Sequence, residues 1–438
     1  MDLIGFLFGF GFLQGLLIAG VLLAIRSSHR RANGFIAGLA LVIGLSLLWK
    51  GLIRSGYFLQ SPSWAVLITP LDFSWGPLLY LYAHTLIGRP LRWRQALHFL
   101  PTLLFISAVI TFASFTEKQQ FQFLNYLWSP HKDLELRLKV LEFTPSFWIW
   151  WVDLHLQRSV FAIQFGVYCC LVLRVIKEHN QYLKQNFSSL EHMNLRWLRT
   201  LTLACILFLV LFLVLNRSHL LLAGHFDVTA LLPNSPYIVL VITVYAIGIA
   251  AIFQPKLVRG TNAATLSYMH NQIQRNEANT VQLVHQPEEP TTPTEQSIQA
   301  TVAQAKGTEK YQRSSLSLTD ADDFQNRLLH VMEKKKLFLD SELTLPDLAE
   351  QAGLTPHQVS QVINGLMNQN FFSFVNNYRI QLVKKMLANP EMEKMPIIEL
   401  ALEVGFKSKS SFYDAFKRAT NMSPTQYKKS LKEKVEEL

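Results

Sequence analysis

The sequence predicts an all-α protein in three parts: a seven-helix transmembrane bundle over 1–253, a flexible linker over 254–320 and a soluble double helix-turn-helix domain over 321–438. Half of the 438 residues are hydrophobic and only 16% are charged, against about a quarter in ordinary soluble domains. The apolar residues gather in stretches close to the roughly 20 that a membrane-crossing helix needs. From 321 onward the pattern changes to short amphipathic helices, twice interrupted by a glycine turn.

Seven stretches approach spanning length, at 3–25, 35–54, 64–87, 97–115, 156–176, 198–216 and 234–253. No basic residue precedes the first and Arg26, Arg30 and Arg31 follow it, the wrong order for a cleaved signal peptide. Lys and Arg mark cytoplasmic loops, so the amino terminus is expected outside. The same rule places Arg89, Arg92 and Arg94 inside, then Arg174, Lys177, Lys184, Arg196 and Arg199, then Lys256 and Arg259. An odd number of spans delivers the carboxyl-terminal domain to the cytoplasm. Residues 1–253 hold 19 basic and 10 acidic residues, +9 of the net +10, so the basic balance is mostly a topology signal.

Ionisable groups within spans are costly and mark functional candidates. Asp72 lies in Thr69-Pro70-Leu71-Asp72-Phe73-Ser74-Trp75-Gly76-Pro77, where two prolines and a glycine can open the backbone. His84 sits lower in that span, and Lys50 and Arg54 end the second span near enough to pair with Asp72. Asp72 and His84 with Asp153, His155 and Arg158 at the mouth of the fifth span form a candidate pocket for a small-molecule ligand. The competing reading is a structural ion pair with interfacial residues reaching water. Trp148, Trp150 and Trp151 read as an interface belt, and the outer loop 116–146 as a segment lying along the bilayer surface. Cys169, Cys170 and Cys205 have no ligand spacing and read as packing residues. No metal or cofactor is expected.

Residues 254–320 carry six basic and six acidic charges, many Gln and Thr, and Pro287, Pro290 and Pro293, a linker composition with one weak helical pattern at 264–274. About 60 flexible residues span on the order of 40 Å. Such a tether cannot pass on a rotation or a piston movement. Signalling is then left to changed oligomerisation, such as a homodimer, to release of a domain held against the membrane part, or to proteolysis.

In the last part, Leu345, Leu348 and Ala349 recur at helical spacing, Gly353 turns the chain, and Thr355 with Pro356 caps and opens a second helix. There Val359, Val362 and Ile363 share a face, leaving His357, Gln358, Ser360, Gln361 and Asn364 outward. Such tips suit base edges in a major groove, and they equally suit a solvated helix face. The pattern returns with Ile397, Ile398, Leu400, Ala401 and Val404, a turn at Gly405, and a helix capped by Ser408 with Phe412 and Phe416 inward. Lys409, Ser410, Ser411, Tyr413, Asp414 and Lys417 remain outward. Phe374, Val375, Tyr378, Leu382 and Met386 predict a long helix joining the units, so one monomer can read two half-sites of double-stranded DNA about 34 Å apart. Residues 321–438 are nearly neutral, with 16 basic against 15 acidic, while Lys407, Lys409, Lys417, Arg418, Lys428, Lys429 and Lys432 face Asp414 alone in 405–432. Phosphate attraction is expected there.

These residues resemble the DNA-binding domain of the AraC/XylS family of bacterial transcription regulators. The resemblance covers about 324–431 and rests on Thr344-Leu345 with Leu348-Ala349, on Asn377-Tyr378-Arg379, on Gly405-Phe406-Lys407-Ser408-Lys409-Ser410-Ser411-Phe412, on Phe416-Lys417, and on Met422-Ser423-Pro424 with Tyr427. It implies base contacts from His357, Ser360 and Gln361, then from Ser410, Ser411 and Asp414. Asp414 stands where the family often has Arg; an acid can accept from cytosine, but its plainer role is an ion pair with Arg418. Asn421 replaces the usual Gly before Ser423-Pro424 and can hold the same left-handed turn. Val383 replaces a common Ala. The Gly76-to-Tyr82 stretch resembles one in other membrane-bound regulators of this type.

The function expected is a membrane-embedded one-component transcription regulator. The alternative is a membrane receptor or carrier whose helix-turn-helix domain docks a cytoplasmic protein. A carrier would repeat broken spans, and only the third has that character. The chain is not expected to be an enzyme, having no His-Glu-x-x-His, no Gly-x-Ser-x-Gly and no phosphate-cradling glycine loop.

Overall fold

The computed structural model describes residues 3–25, 30–128, 138–142, 154–221 and 318–436, less 60, 61, 65, 141, 191, 192 and 194. Every described element is helical; the β pairing seen among the described residues is an isolated antiparallel bridge between Phe187 and Thr344. The chain divides into two compact units. One comprises Met1–Glu178 with Leu195–Leu257, the other His179–Asn194 with Val258–Leu438.

The first unit contains α1 (Leu3–Ala24), α2 (Arg30–Arg54), α3 (Trp75–Leu86), α4 (Leu100–Ala113), α5 (Glu117–Trp128), most of α6 (Leu154–Asn186) and α7 (Arg196–Leu221). Four of its described helical stretches are long and apolar enough to cross a membrane: Gly5–Ala24, Arg30–Arg54, Trp93–Ala113 and Ser159–Asn186. The stretch expected at 234–253 and the weak helix expected at 264–274 lie outside the described residues.

Helices α1 and α2 meet through small residues. A Cβ on Gly15 would stand 2.7 Å from the Ala40 carbonyl oxygen and 3.1 Å from the Gly44 Cα, so the backbones touch in the manner of small-residue crossings between membrane helices. The opposite face of α1 leaves Phe6, Phe10, Leu13, Leu17 and Leu23 exposed.

The stretch expected as a single third span is broken. It begins with 3₁₀ turns at Pro62–Trp64 and Thr69–Ser74, and its α-helix, α3, has only 12 residues, about 18 Å of rise against the ~30 Å of a bilayer core. Pro70 and Pro77 lack the N–H groups a continuous ladder would use. The opened backbone is answered from elsewhere, with Gln164 Nε2 on α6 donating to the Phe73 carbonyl at 3.0 Å, while the Asp72 side chain accepts from Ser46 Oγ on α2. The outer loop is also more structured than expected. Its start forms α5, whose Leu124 and Phe123 pack with Trp49, Phe58 and Phe112.

The second unit is built on α8 (Leu318–Lys334), α9 (Leu345–Ala352), α10 (Pro356–Gln361), α11 (Phe371–Ala388), α12 (Ile397–Glu403), α13 (Lys409–Thr420) and α14 (Pro424–Glu436). Helix α11 serves two cores at once. Phe371, Phe374 and Val375 join Leu345, Leu348, Val359 and Ile363, while Ile380, Val383 and Leu387 join Leu400, Val404, Phe412 and Phe416. The helix-turn-helix units are therefore two ends of one packed body. Gly405 welds them further: its φ is +97°, and a Cβ there would lie 2.6 Å from the Leu339 carbonyl oxygen and 2.9 Å from that of Phe338, a place only glycine fits. Lys407 forms an ion pair with Glu342 across the same joint.

Two outcomes are expected from these contacts. Gln164→Ala orphans the Phe73 carbonyl and lowers stability by about 1–3 kcal/mol, read as thermal unfolding of the detergent-solubilised protein. Gly405→Ala forces a strained φ and a steric clash, and destabilises the second unit by about 2 kcal/mol or more, read in denaturant titrations.

Candidate nucleic-acid interface

Each prospective recognition helix starts from a side-chain cap. Thr355 caps α10: its Oγ1 accepts from the Gln358 N–H, and the Gln358 Oε1 accepts from the Thr355 N–H at 2.8 Å. Pro356 takes the first helical position, where its missing N–H is harmless. Ser408 caps α13 by accepting from the Ser411 N–H. At the far end of α13, Asn421 adopts φ +57°, the left-handed turn anticipated for it.

Beyond Gln361, α10 continues as a π-helical turn over Val362–Leu366, with the Met367 N–H reaching back to the Val362 carbonyl. Such turns shift the face a helix presents and recur at functional sites. The sequence showed no sign of it.

The outward residues fall into two groups. His357, Lys409, Ser410, Asp414 and Lys417 are exposed. Lys409 extends over the Tyr413 ring, Nζ 5.4 Å from its centre, and Ser410 Oγ lies 3.0 Å from Ser408 Oγ.

The other group has tasks within the fold. Gln358 closes the capping box of α10. Ser411 Oγ donates to the Ser408 carbonyl at 3.1 Å. Asn364 Nδ2 donates to Ser360 Oγ at 3.0 Å, so those two side chains engage one another. Gln361 is half-buried and its carboxamide oxygen is occluded and without a partner. A rotamer change would be needed to present it.

One electrostatic expectation is altered. Lys407 is engaged by Glu342, and the Lys428 ammonium donates to the Glu393 carbonyl at 2.7 Å, which shrinks the positive field counted from sequence. Arg418 donates through Nε to the main-chain carbonyl of Asp414 at 3.0 Å and lies over the Phe372 ring. A main-chain carbonyl is available whatever residue stands at 414.

Within the second unit, beside α11 and α13, lies a polar recess of about 510 Å³ lined by Asn368, Asn370, Ser373, Asn377 and Arg418 among others. Arg379, noted only as part of a motif, is the residue sequence reasoning most undervalued. It is 1% exposed. It donates through Nε to the Phe338 carbonyl at 2.7 Å and through a terminal nitrogen to the Asp340 carbonyl at 2.7 Å, and its guanidinium lies 5.7 Å from the Phe406 ring centre. Burial pushes its pKa down to about 10, with Asp340 opposing the shift, so it stays charged near neutrality.

Of the candidate ligand residues, the side chains of Asp72 and His84 are described, and they have different partners. Asp72 is half-buried at the α2 contact, within electrostatic reach of Lys50. His84 is buried in the last turn of α3, its Nε2 3.2 Å from Gln95 Nε2. Twelve residues separate these two positions. Asp153 lies outside the described residues, and of His155 and Arg158 only the backbone, in α6, is described. Cys169 and Cys205 are buried and Cys170 is exposed. Among the described residues no group of three or more His, Cys, Asp or Glu could hold a metal ion.

Residues 348–430 match the family model described as a helix-turn-helix domain. The chain is similar to the melibiose operon regulatory protein of Escherichia coli, 31% identical over 90 residues, 20% of this chain and 29% of that protein. It is similar also to the HTH-type transcriptional regulator MtrA of Neisseria gonorrhoeae, 30% identical over 105 residues, 24% and 33% of the two chains. A third relative is the uncharacterized HTH-type transcriptional regulator YdeC of Bacillus subtilis, 33% identical over 101 residues, 23% and 31% of the two chains. The chain thus spans about a third of the length of the relatives it matches. No solved structure matches it.

The two groups of outward residues are expected to respond differently. Gln358→Ala lowers domain stability by about 1 kcal/mol through its cap and leaves sequence preference unchanged in binding-site selection. Lys409→Ala weakens binding to all DNA sequences alike and reduces the salt slope by about 1, measured by titration at several ionic strengths.

Proposed function

The C-terminal part of the chain is an AraC-type helix-turn-helix domain, and from that premise we propose that the whole protein is a membrane-embedded one-component transcription regulator. It binds promoter DNA specifically through both helix-turn-helix units while residues 1–253 lie in the lipid bilayer, with 254–320 as linker and 321–438 as the DNA-binding domain. The observation that carries this reading is the single body formed around α11. Because one helix belongs to both cores, α10 and α13 are held in fixed relation, as reading two half-sites one DNA turn apart requires.

The exposed apolar face of α1 and the four spanning-length stretches support the membrane assignment. In water, an unbroken row of Phe and Leu side chains would invite association; lipid removes that penalty. The positive-inside pattern puts the amino terminus outside and the DNA-binding domain in the cytoplasm. His357, Lys409, Ser410, Asp414 and Lys417 are the leading candidates for DNA contact, with Gln361 after a rotamer change. Ser360, Asn364, Gln358 and Ser411 support the two recognition helices.

On the sensing side, Asp72 and His84 mark two separate polar neighbourhoods. Asp72, an ionisable group beside the break in the third apolar stretch, is the better ligand candidate.

Chromatin immunoprecipitation with sequencing on the full-length protein, beside a His357→Ala, Lys409→Ala variant present at equal level in the membrane, tests the proposal. Peaks sharing two half-sites one turn apart and lost in the variant are expected. Peaks indifferent to the variant would remove direct DNA reading.

A further inference from the structure

We infer that residues 187–190, which follow the end of α6, are a docking strap that binds the DNA-binding body at Leu343, Thr344, Asn376 and Arg379, so that the chain leaving α6 is held by that body as well as by the linker. By its contacts this segment belongs to the second unit although it lies far from that unit in sequence. It rests on the regulator reading only for its purpose; the contact itself is independent of DNA.

Helix α6 runs without a break to Asn186. The next two residues are buried, Phe187 at 8% and Ser188 at 2% exposure. Phe187 pairs with Thr344 in an antiparallel bridge, and the Ser188 N–H donates to the Leu343 carbonyl at 3.2 Å. Thr344 is the N-cap of α9, so the bridge sits at the entry to the first helix-turn-helix unit.

The remaining groups of Ser188 are also taken. Its carbonyl accepts from Asn376 Nδ2 at 3.3 Å and from a terminal nitrogen of Arg379 at 3.3 Å, and its Oγ accepts from the other terminal nitrogen at 3.4 Å. A guanidinium has five N–H donors. Those of Arg379 meet the carbonyls of Phe338 and Asp340, the Asn376 Oδ1, and the carbonyl and hydroxyl of Ser188. Two of five acceptors for a buried charge therefore come from the strap. A surface evolved only to face water would not leave its buried cation to be completed by a residue about 190 positions earlier.

The position suits a transmitter. Arg379 also holds the Phe338–Asp340 turn of the first helix-turn-helix unit and touches Phe406 beside the Gly405 turn of the second. A shift at the end of α6 would bear on the joint between the units, a route that does not pass through 254–320. Of the three signalling routes open to a flexible tether, this favours a domain that is held and released or re-aimed.

Disulfide trapping of the full-length protein in its native membranes tests the strap. Phe187 and Thr344 face each other at a non-hydrogen-bonded antiparallel position, where Cα atoms lie about 4.5 Å apart, within the range a disulfide spans. The variant carries Phe187→Cys and Thr344→Cys with Cys169, Cys170 and Cys205 changed to Ala, and a protease site inserted near 290. After mild oxidation and cleavage, the two fragments are expected to stay joined on a non-reducing gel, and Ser188→Pro, which removes the N–H given to Leu343, is expected to reduce the joined fraction. Joined yields no higher than those of the single-cysteine proteins overturn the contact. For transmission, Ser188→Pro and separately Asn376→Ala are expected to change promoter occupancy by about fivefold or more; unchanged occupancy in both overturns that role. Trapping without any promoter peaks leaves the strap standing and removes the regulator reading, whereas peaks without trapping do the reverse.

Discussion

The burial of the Arg379 guanidinium is the constraint on which the C-terminal body depends. A charge removed from water is tolerated only when its donors are met, and the partners here are three main-chain carbonyls, the Asn376 carboxamide oxygen and the Ser188 hydroxyl. Carbonyls are fixed by backbone geometry, so satisfying this cation requires the Phe338–Asp340 turn, α11 and Ser188 to hold their places together. Leaving even one such group unmet costs on the order of 1–3 kcal/mol. Hydrophobic burial supplies the bulk of the stability, but it is non-directional; the guanidinium supplies the register in which the pieces meet. Gly405 acts in the same joint by absence of a side chain, letting the second turn approach the Phe338 and Leu339 carbonyls.

The apolar unit solves a related problem by different means. Its third apolar stretch carries two prolines that open the backbone, and the resulting acceptor finds Gln164 on α6. A broken helix in an apolar setting is stable only where neighbouring side chains restore the lost pairing. Close backbone contact at Gly15 and Gly44 adds dispersion between tightly apposed helices.

In the C-terminal body, polar residues that look alike in sequence have different surroundings. On α10, Gln358, Ser360 and Asn364 support the helix, while His357 is left free to the outside; on α13, Ser411 supports and Lys409, Ser410 and Lys417 extend. The proposed recognition surface is narrower than a helical wheel implies. Its electrostatics are also milder, since Lys407 is held by Glu342 and Lys428 by a carbonyl.

Local physics determined much of this protein from sequence alone: the all-helical class, the positions of the helix-turn-helix caps at Thr355 and Ser408, the turns at Gly353 and Gly405, and the left-handed Asn421. Each depends on residues within a few positions of one another, where propensity, capping and periodicity act. Tertiary structure alone decided the rest. The break before α3 was hinted at by Pro70 and Pro77, but its partner Gln164 is about 90 residues away; Lys407 meets Glu342 across 65 positions, and Arg379 meets Ser188 across 191. No local pattern encodes which distant acceptor completes a buried donor, because that is settled by where whole helices come to rest.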